Sequence, residues 1–301
     1  MPRASVASAH GKQTKTHASP PRQPMHMTLP VATLVLVAAM LHACWNALLK
    51  GGRDRFWSMT VMGIATTIAC ALILAFLPMP LRASWPCIAG SALLHIGYNL
   101  FLIRAYRGGE FGLAYPIARG SSPLLVTLGA AVADGESPSA SGIAGIVLVS
   151  GGIISLAFRG RRLPEVGILY ALGTGFFIAA YSVTDGIGGR LSGNPAAYTV
   201  WLCLLWGLAS VPVYWLRRRD VRLWRGARPT LLAGLGGVVS LLAYGIVIFA
   251  MSRAPMGSVS ALRETSVLFA VLLGRLFFAE PLTFRRIISA VVILAGVLCL
   301  E

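Results

Sequence analysis

Apolar runs of about 20 residues follow one another along this chain, parted by short polar stretches, and that is the length an α-helix needs to cross a bilayer. They predict ten spans, at about 30–49, 57–77, 86–105, 111–133, 140–158, 166–186, 195–215, 230–251, 256–278 and 283–300. The connections are brief and marked by Gly, Pro and charge: Lys50 to Arg55, Pro78 to Pro80, Arg107 to Glu110, Arg159 to Glu165, Arg217 to Arg228. Short connections imply an antiparallel, up-and-down bundle, so the expected fold class is an all-α integral membrane protein. The alternating pattern of an outer-membrane β-barrel is absent. Residues 1–28 show no apolar periodicity and are rich in Pro, Ser, Thr, His, Lys and Arg; they read as a disordered basic tail. That tail has no acidic residue, which is compatible with a transit peptide, but it lacks amphipathic pattern and the apolar core of a signal peptide.

A polar signature occurs twice within this pattern. Arg119 and Arg263, Ser122 and Ser266, and Glu136 and Glu280 are all separated by the same 144 residues, and each falls in or beside an apolar run. Three coincidences at one offset predict a duplicated unit: residues 29–159 as a first five-helix repeat and 160–301 as a second. Five is odd, so tandem halves of five must face opposite ways across the membrane, as in the inverted repeats of secondary transporters. Loop charge adds an orientation. The odd connections carry most of the arginines, while the fourth is acidic with Asp134 and Glu136. The positive-inside rule then puts odd connections in the cytoplasm, against which the basic N-terminal tail argues. Trp57, Trp85, Trp215 and Trp224 stand at span ends and suit interfacial belts.

Charged residues make up 12% of the 301, against about 25% in soluble domains, which confirms the membrane class. The net charge of +16 would suggest nucleic acid in a soluble protein. Carried in short loops, it reads instead as topogenic charge beside anionic membrane lipid, so lipid is an expected partner and nucleic acid is not. Cys44, Cys70, Cys87, Cys203 and Cys299 lie apart with no CxxC spacing; neither a metal, a cofactor nor a disulfide framework is expected.

The candidate chemistry is a set of polar stripes on apolar cylinders. His42, Asn46 and Lys50 are spaced by four, beside Trp45; His95 and Asn99 are i and i+4, beside Tyr98; so are Tyr181 and Asp185, and Ser240 and Tyr244. Such stripes must face protein or water, either as interhelical hydrogen bonds or as the lining of a cavity. The fourth span holds Pro116, Gly120 and Pro123 and is expected to break or kink, freeing carbonyls near Tyr115, Arg119 and Ser122. Arg119 and Arg263 lie about eight residues into their spans, a few ångströms from the midplane at roughly 1.5 Å per residue. Arginine there must face a bundle interior, and its planar fork suits a carboxylate or phosphate. Glu264 and Asp185 are the rival internal counter-ions or coupling carboxylates. Glu136 and Glu280 stand at matching helix exits and read as caps or topology markers rather than ligands.

At these residues the chain resembles the EamA-type transporters of the drug/metabolite transporter superfamily. The resemblance rests on His42-x-x-Trp45-Asn46-x-x-x-Lys50, on Tyr115-Pro116-x-x-Arg119-Gly120-Ser121-Ser122-Pro123, and on Arg263-Glu264-x-Ser266-Val267. In the second half Tyr181, Ser182 and Asp185 stand where a Trp-Asn-Lys copy would be. The resemblance implies ten helices in two EamA repeats, a bacterial inner membrane, and export of amino acids or related metabolites by a non-enzyme. The expected partner is therefore a small-molecule metabolite, with a second copy of the chain as a further candidate. The substrate-binding candidates are His42, Trp45, Asn46, His95, Asn99, Tyr115, Arg119, Ser122, Tyr181, Tyr244, Arg263 and Ser266. The alternative is a membrane-embedded enzyme acting on a lipid, for which no HExxH or GxSxG motif is present. A passive channel would need symmetric rings around a pore, and ATP drive a Walker loop, which the sequence lacks.

Overall fold

A computed structural model describes residues 26–51, 54–106, 111–157, 165–218, 223–278 and 283–300. Most of the N-terminal tail, Glu280 and much of the basic third, fifth and seventh connections lie outside the described residues. The described chain is helical throughout: α1 (Leu29–Gly51), α2 (Arg55–Leu74), α3 (Trp85–Tyr106), α4 (Phe111–Asp134), α5 (Ala140–Ser155), α6 (Glu165–Leu191), α7 (Pro195–Arg218), α8 (Ala227–Met251), α9 (Met256–Arg263), α10 (Ser266–Phe278) and α11 (Phe284–Leu298). Within these, six stretches are long and apolar enough to cross a membrane. The protein is a multi-pass membrane protein on that ground.

Packing is exchanged between the two halves of the sequence. α1 lies against α8, α9 and α10, while α6 lies against α3 and α4; α2 pairs with α7, and α5 with α11. The α5–α11 crossing is close because Gly145 and Gly296 face each other: a Cβ at Gly145 would stand 2.6 Å from the Gly296 carbonyl. The largest core cluster draws residues from α1, α4, α5, α6, α8, α9 and α11, including Val35, Val126, Ile146, Met256 and Ile293. All eight residues of α9 are buried, so this short helix is enclosed by the others.

The connections meet at two ends. The amide of Leu81, between α2 and α3, donates to the Ser192 carbonyl, between α6 and α7, at 3.0 Å. Arg190 at the end of α6 reaches Glu136 between α4 and α5 and the Ala254 carbonyl between α8 and α9. The second, fourth, sixth and eighth connections thus share one end. Asp54 and Arg225, 3.1 Å apart, join the first connection to the seventh at the other.

Three sequence expectations are corrected here. The fourth span is one unbroken helix despite Pro116 and Pro123. Pro123 cannot donate to the Arg119 carbonyl, but the Ser122 hydroxyl does so at 3.1 Å, and the helix continues. The ninth span, expected to be continuous, is instead interrupted between α9 and α10 at Glu264 and Thr265. And Trp57 is not an interfacial ring. It is 4% exposed and donates from Nε1 to the Leu223 carbonyl at 2.9 Å, whereas Trp215 and Trp224 are exposed.

Candidate functional site

The interruption places an acidic residue between two arginines. α9 ends at Arg263; the Glu264 amide returns to the Ser260 and Ala261 carbonyls, and the Thr265 and Val267 amides make bonds three residues back across the start of α10. Such a tightened turn inside a helix satisfies the backbone while redirecting side chains. Glu264 is wholly buried, with its carboxylate turned towards α4. Its Oε2 lies 2.7 Å from Nε of Arg119, and its Oε1 accepts from Nη2 of Arg263 at 3.3 Å. Nη2 of Arg119 donates to the Ser266 hydroxyl at 3.2 Å. The Arg119 guanidinium also sits 5.7 Å from the Tyr115 ring centroid, one turn earlier on α4.

Two guanidinium groups therefore share one carboxylate in a dry centre. Arg119 is 7% exposed and Arg263 3%. Nε of Arg263 has no hydrogen-bond partner among the described residues. Burying a cation without a full complement of acceptors is costly, so this atom marks an unsatisfied position within the centre. His42 of α1 lies within electrostatic range of both arginines. Its Nδ1 accepts from Nε1 of Trp45 at 3.3 Å, with the two rings edge-on. Asn46 spends its amide on the His42 carbonyl, 2.8 Å away.

A second polar group adjoins the first. Asp185 of α6 is buried and accepts from the hydroxyls of Tyr198 on α7, at 2.8 Å, and of Tyr244 on α8. Gly188, one turn beyond Asp185, leaves room for the Tyr198 ring: a Cβ there would stand 2.3 Å from it. Tyr181, one turn before Asp185, stacks on the His95 ring at 4.1 Å and meets Tyr98 and Tyr244 edge-on. Tyr181 lies within electrostatic range of Arg119, Arg263, Glu264 and Asp185, so it stands between the two groups. The Ser91 carbonyl fixes His95 through Nδ1 at 2.8 Å, and Asn99 donates to the His95 carbonyl at 2.9 Å.

The structure thus gathers Tyr115, Arg119, Glu264, Arg263 and Ser266 into one ionic centre, and His95, Tyr181, Asp185 and Tyr244 into an adjoining hydroxyl and ring cluster. Ser122 is fully buried with its hydroxyl committed to the Arg119 carbonyl. Tyr198 was absent from the sequence candidates because within α7 no polar residue stands three or four positions from it, and Asn194 precedes the helix. Arg190 stands in the last turn of α6, and its carboxylate partners are distant in sequence. It pairs with Asp134 and Glu136 and donates to the Met251 and Ala254 carbonyls, while Glu136 receives the Met256 amide at 2.8 Å. Glu136 therefore stands just past the end of α4, where its amide returns to the Ala130 carbonyl, and its carboxylate also serves the start of α9. All five cysteines are free, and no group of three metal-ligating side chains occurs among the described residues.

Residues 165–300, from the start of α6 to the end of α11, match the EamA-like transporter family. Over those residues the chain is similar to that family. The match supports, in general terms, a drug/metabolite-type membrane transporter. No curated protein matches the sequence. A solved structure described only as a crystal structure of a protein superposes with a TM-score of 0.69 over 90% of this chain and 94% of its own. Its identity to this chain is 19%, so the likeness concerns the fold, and it takes in residues before 165 that the family match does not reach.

Proposed function

We propose that this protein is a secondary transporter that moves a small polar or anionic metabolite, an amino acid or a derivative of one, by alternating access and in the export direction. In this reading ten spans form two inverted five-helix repeats, with α9 and α10 together as the ninth span, and the protein resides in a bacterial inner membrane. The exchanged packing supports the repeat: α1 on α8 to α10 is the counterpart of α6 on α3 and α4. The first repeat is residues 29–159 and the second 160–301.

The observation that carries the proposal is the Arg119–Glu264–Arg263 centre. Two cations share one anion, and Nε of Arg263 is left over. A substrate carboxylate arriving there would supply the missing negative charge and acceptors in a planar geometry that guanidinium matches. The rings of Tyr98, Tyr181, His95 and Tyr244 would then flank the body of the substrate. Asp185, with Tyr198 and Tyr244, would answer a cationic group on it or a coupling ion. Glu264 acts as the internal counter-ion when the site is empty.

The test is a screen of amino acids and their derivatives in proteoliposomes, wild type against Arg119→Ala. Saturable exchange that this substitution abolishes, with the purified variant still monodisperse, is the expected result. Exchange unaffected by Arg119→Ala would overturn the site assignment. Flux that never saturates would point to a pore.

A further inference from the structure

The ionic centre is mechanically tied to one end of the bundle, and α9 is the tie. This helix has eight residues, all buried, and spans about 12 Å at roughly 1.5 Å per residue. Its C-terminal residue, Arg263, belongs to the ionic centre. Its N-terminal amide, on Met256, is held by Glu136. Glu136 in turn is held by Arg190, which also takes Asp134 and the carbonyls of Met251 and Ala254. One guanidinium therefore fastens together the end of α4, the turn after it, the end of α6, the end of α8 and, through Glu136, the start of α9. Gly135, with φ at +71°, lets the chain turn so that Asp134 and Glu136 both face that one cation. The elements fastened come from both halves of the sequence.

Resting on the transport reading above, we propose that the Arg190 knot is the latch of the gate at this end, and that α9 is the rod that links it to substrate. The latch ties the elements at this end together in this structure. Parting α4 from α8 and α9 requires Arg190 to release carboxylates and carbonyls that it satisfies together. A guanidinium serves here because its several donors fan out in one plane, and the lysine ammonium cannot reach the same set. An anion drawn to Arg263 pulls on Glu264 and on the end of α9; because α9 is fully packed, that pull is delivered at Met256, where Glu136 grips it. Two packed arrangements rather than a gradual bend are expected, since close-packed interiors switch between discrete states.

The experiment follows a thiol rather than transport. In a variant with all five native cysteines replaced, Ser258→Cys places a reporter on α9, two residues inside the latch, where Ser258 is 4% exposed. Its rate of modification by a membrane-impermeant maleimide is measured in oriented proteoliposomes. Arg190→Gln is expected to raise that rate by about tenfold or more, with Arg190→Lys in between. Glu136→Gln removes the charge of one arm and leaves the carbonyl contacts, and is expected to raise it about threefold. Arg263→Gln, at the far end of the rod, is expected to change it as well. Rates within twofold of the parent for Arg190→Gln and Glu136→Gln, both folded by thermal melting, would overturn the latch. An effect of Arg190→Gln without one of Arg263→Gln would overturn the rod. Neither readout needs a substrate, so the latch can fail while transport stands, and transport can fail while the latch stands.

Discussion

Nε of Arg119 on α4 lies 2.7 Å from Oε2 of Glu264, the residue at which α9 gives way to α10. This pair joins the two halves of the chain in a region closed to solvent, and Arg263 makes it a triad of unequal charge. Its members respond differently to removal.

Glu264→Gln leaves two buried guanidinium groups with no counter-ion. The loss of a partner from a buried ion pair costs about 3–5 kcal/mol, so the variant should melt well below the parent in detergent or fail to accumulate. Arg119→Gln leaves Glu264 and Arg263 as a balanced pair and should melt closer to the parent. Equal melting temperatures for all three proteins would show that the triad is not charged as described.

Asp185 depends on hydroxyls rather than cations. Tyr198→Phe and Tyr244→Phe each delete one donor to a buried carboxylate, and each should destabilise by about 1–3 kcal/mol in thermal or denaturant unfolding. The two effects should be non-additive, because both act on the same carboxylate. Two effects that simply sum would mean the hydroxyls act independently.

The unbroken α4 makes a double-substitution prediction. Ser122→Ala removes the donor that serves the Arg119 carbonyl in place of Pro123, and should cost about 1–3 kcal/mol. In a Pro123→Ala background the backbone amide returns, and the same Ser122→Ala change should then cost little. A cost that is the same in both backgrounds would show that the serine does not bridge the proline.

The sequence made the ionic centre partly legible. The repeated spacing singled out Arg119, Arg263 and Ser266, because a guanidinium inside an apolar run has few places to go. Glu264 was visible as an acid within a span. What it could not give was the location of the interruption. Proline is the strongest signal of a helix break, yet Ser122 satisfies the carbonyl that Pro123 leaves free. The interruption at Glu264 and Thr265 has no proline or glycine to announce it. Nor did sequence separate Trp57, buried by α7 and the seventh connection, from the exposed Trp215 and Trp224: a tryptophan at a span end can serve either purpose. The Arg190 knot was hidden for a similar reason. Its carboxylates lie 54 and 56 residues away, and a lone arginine at a span end reads as topogenic charge.

Arg263→Lys keeps the charge and loses the fork. It should raise the KM for an anionic substrate by about tenfold or more while shifting the melting temperature little, since a lysine can still pair with Glu264. An unchanged KM would remove Arg263 from the substrate path.

The most direct measurement is the initial rate of uptake into proteoliposomes as a function of substrate concentration, for the wild type and for Arg263→Gln. The account predicts a saturable curve for the wild type and no saturable component for the variant, with the variant folded by its melting curve. A saturable curve of the same KM in both proteins would contradict it.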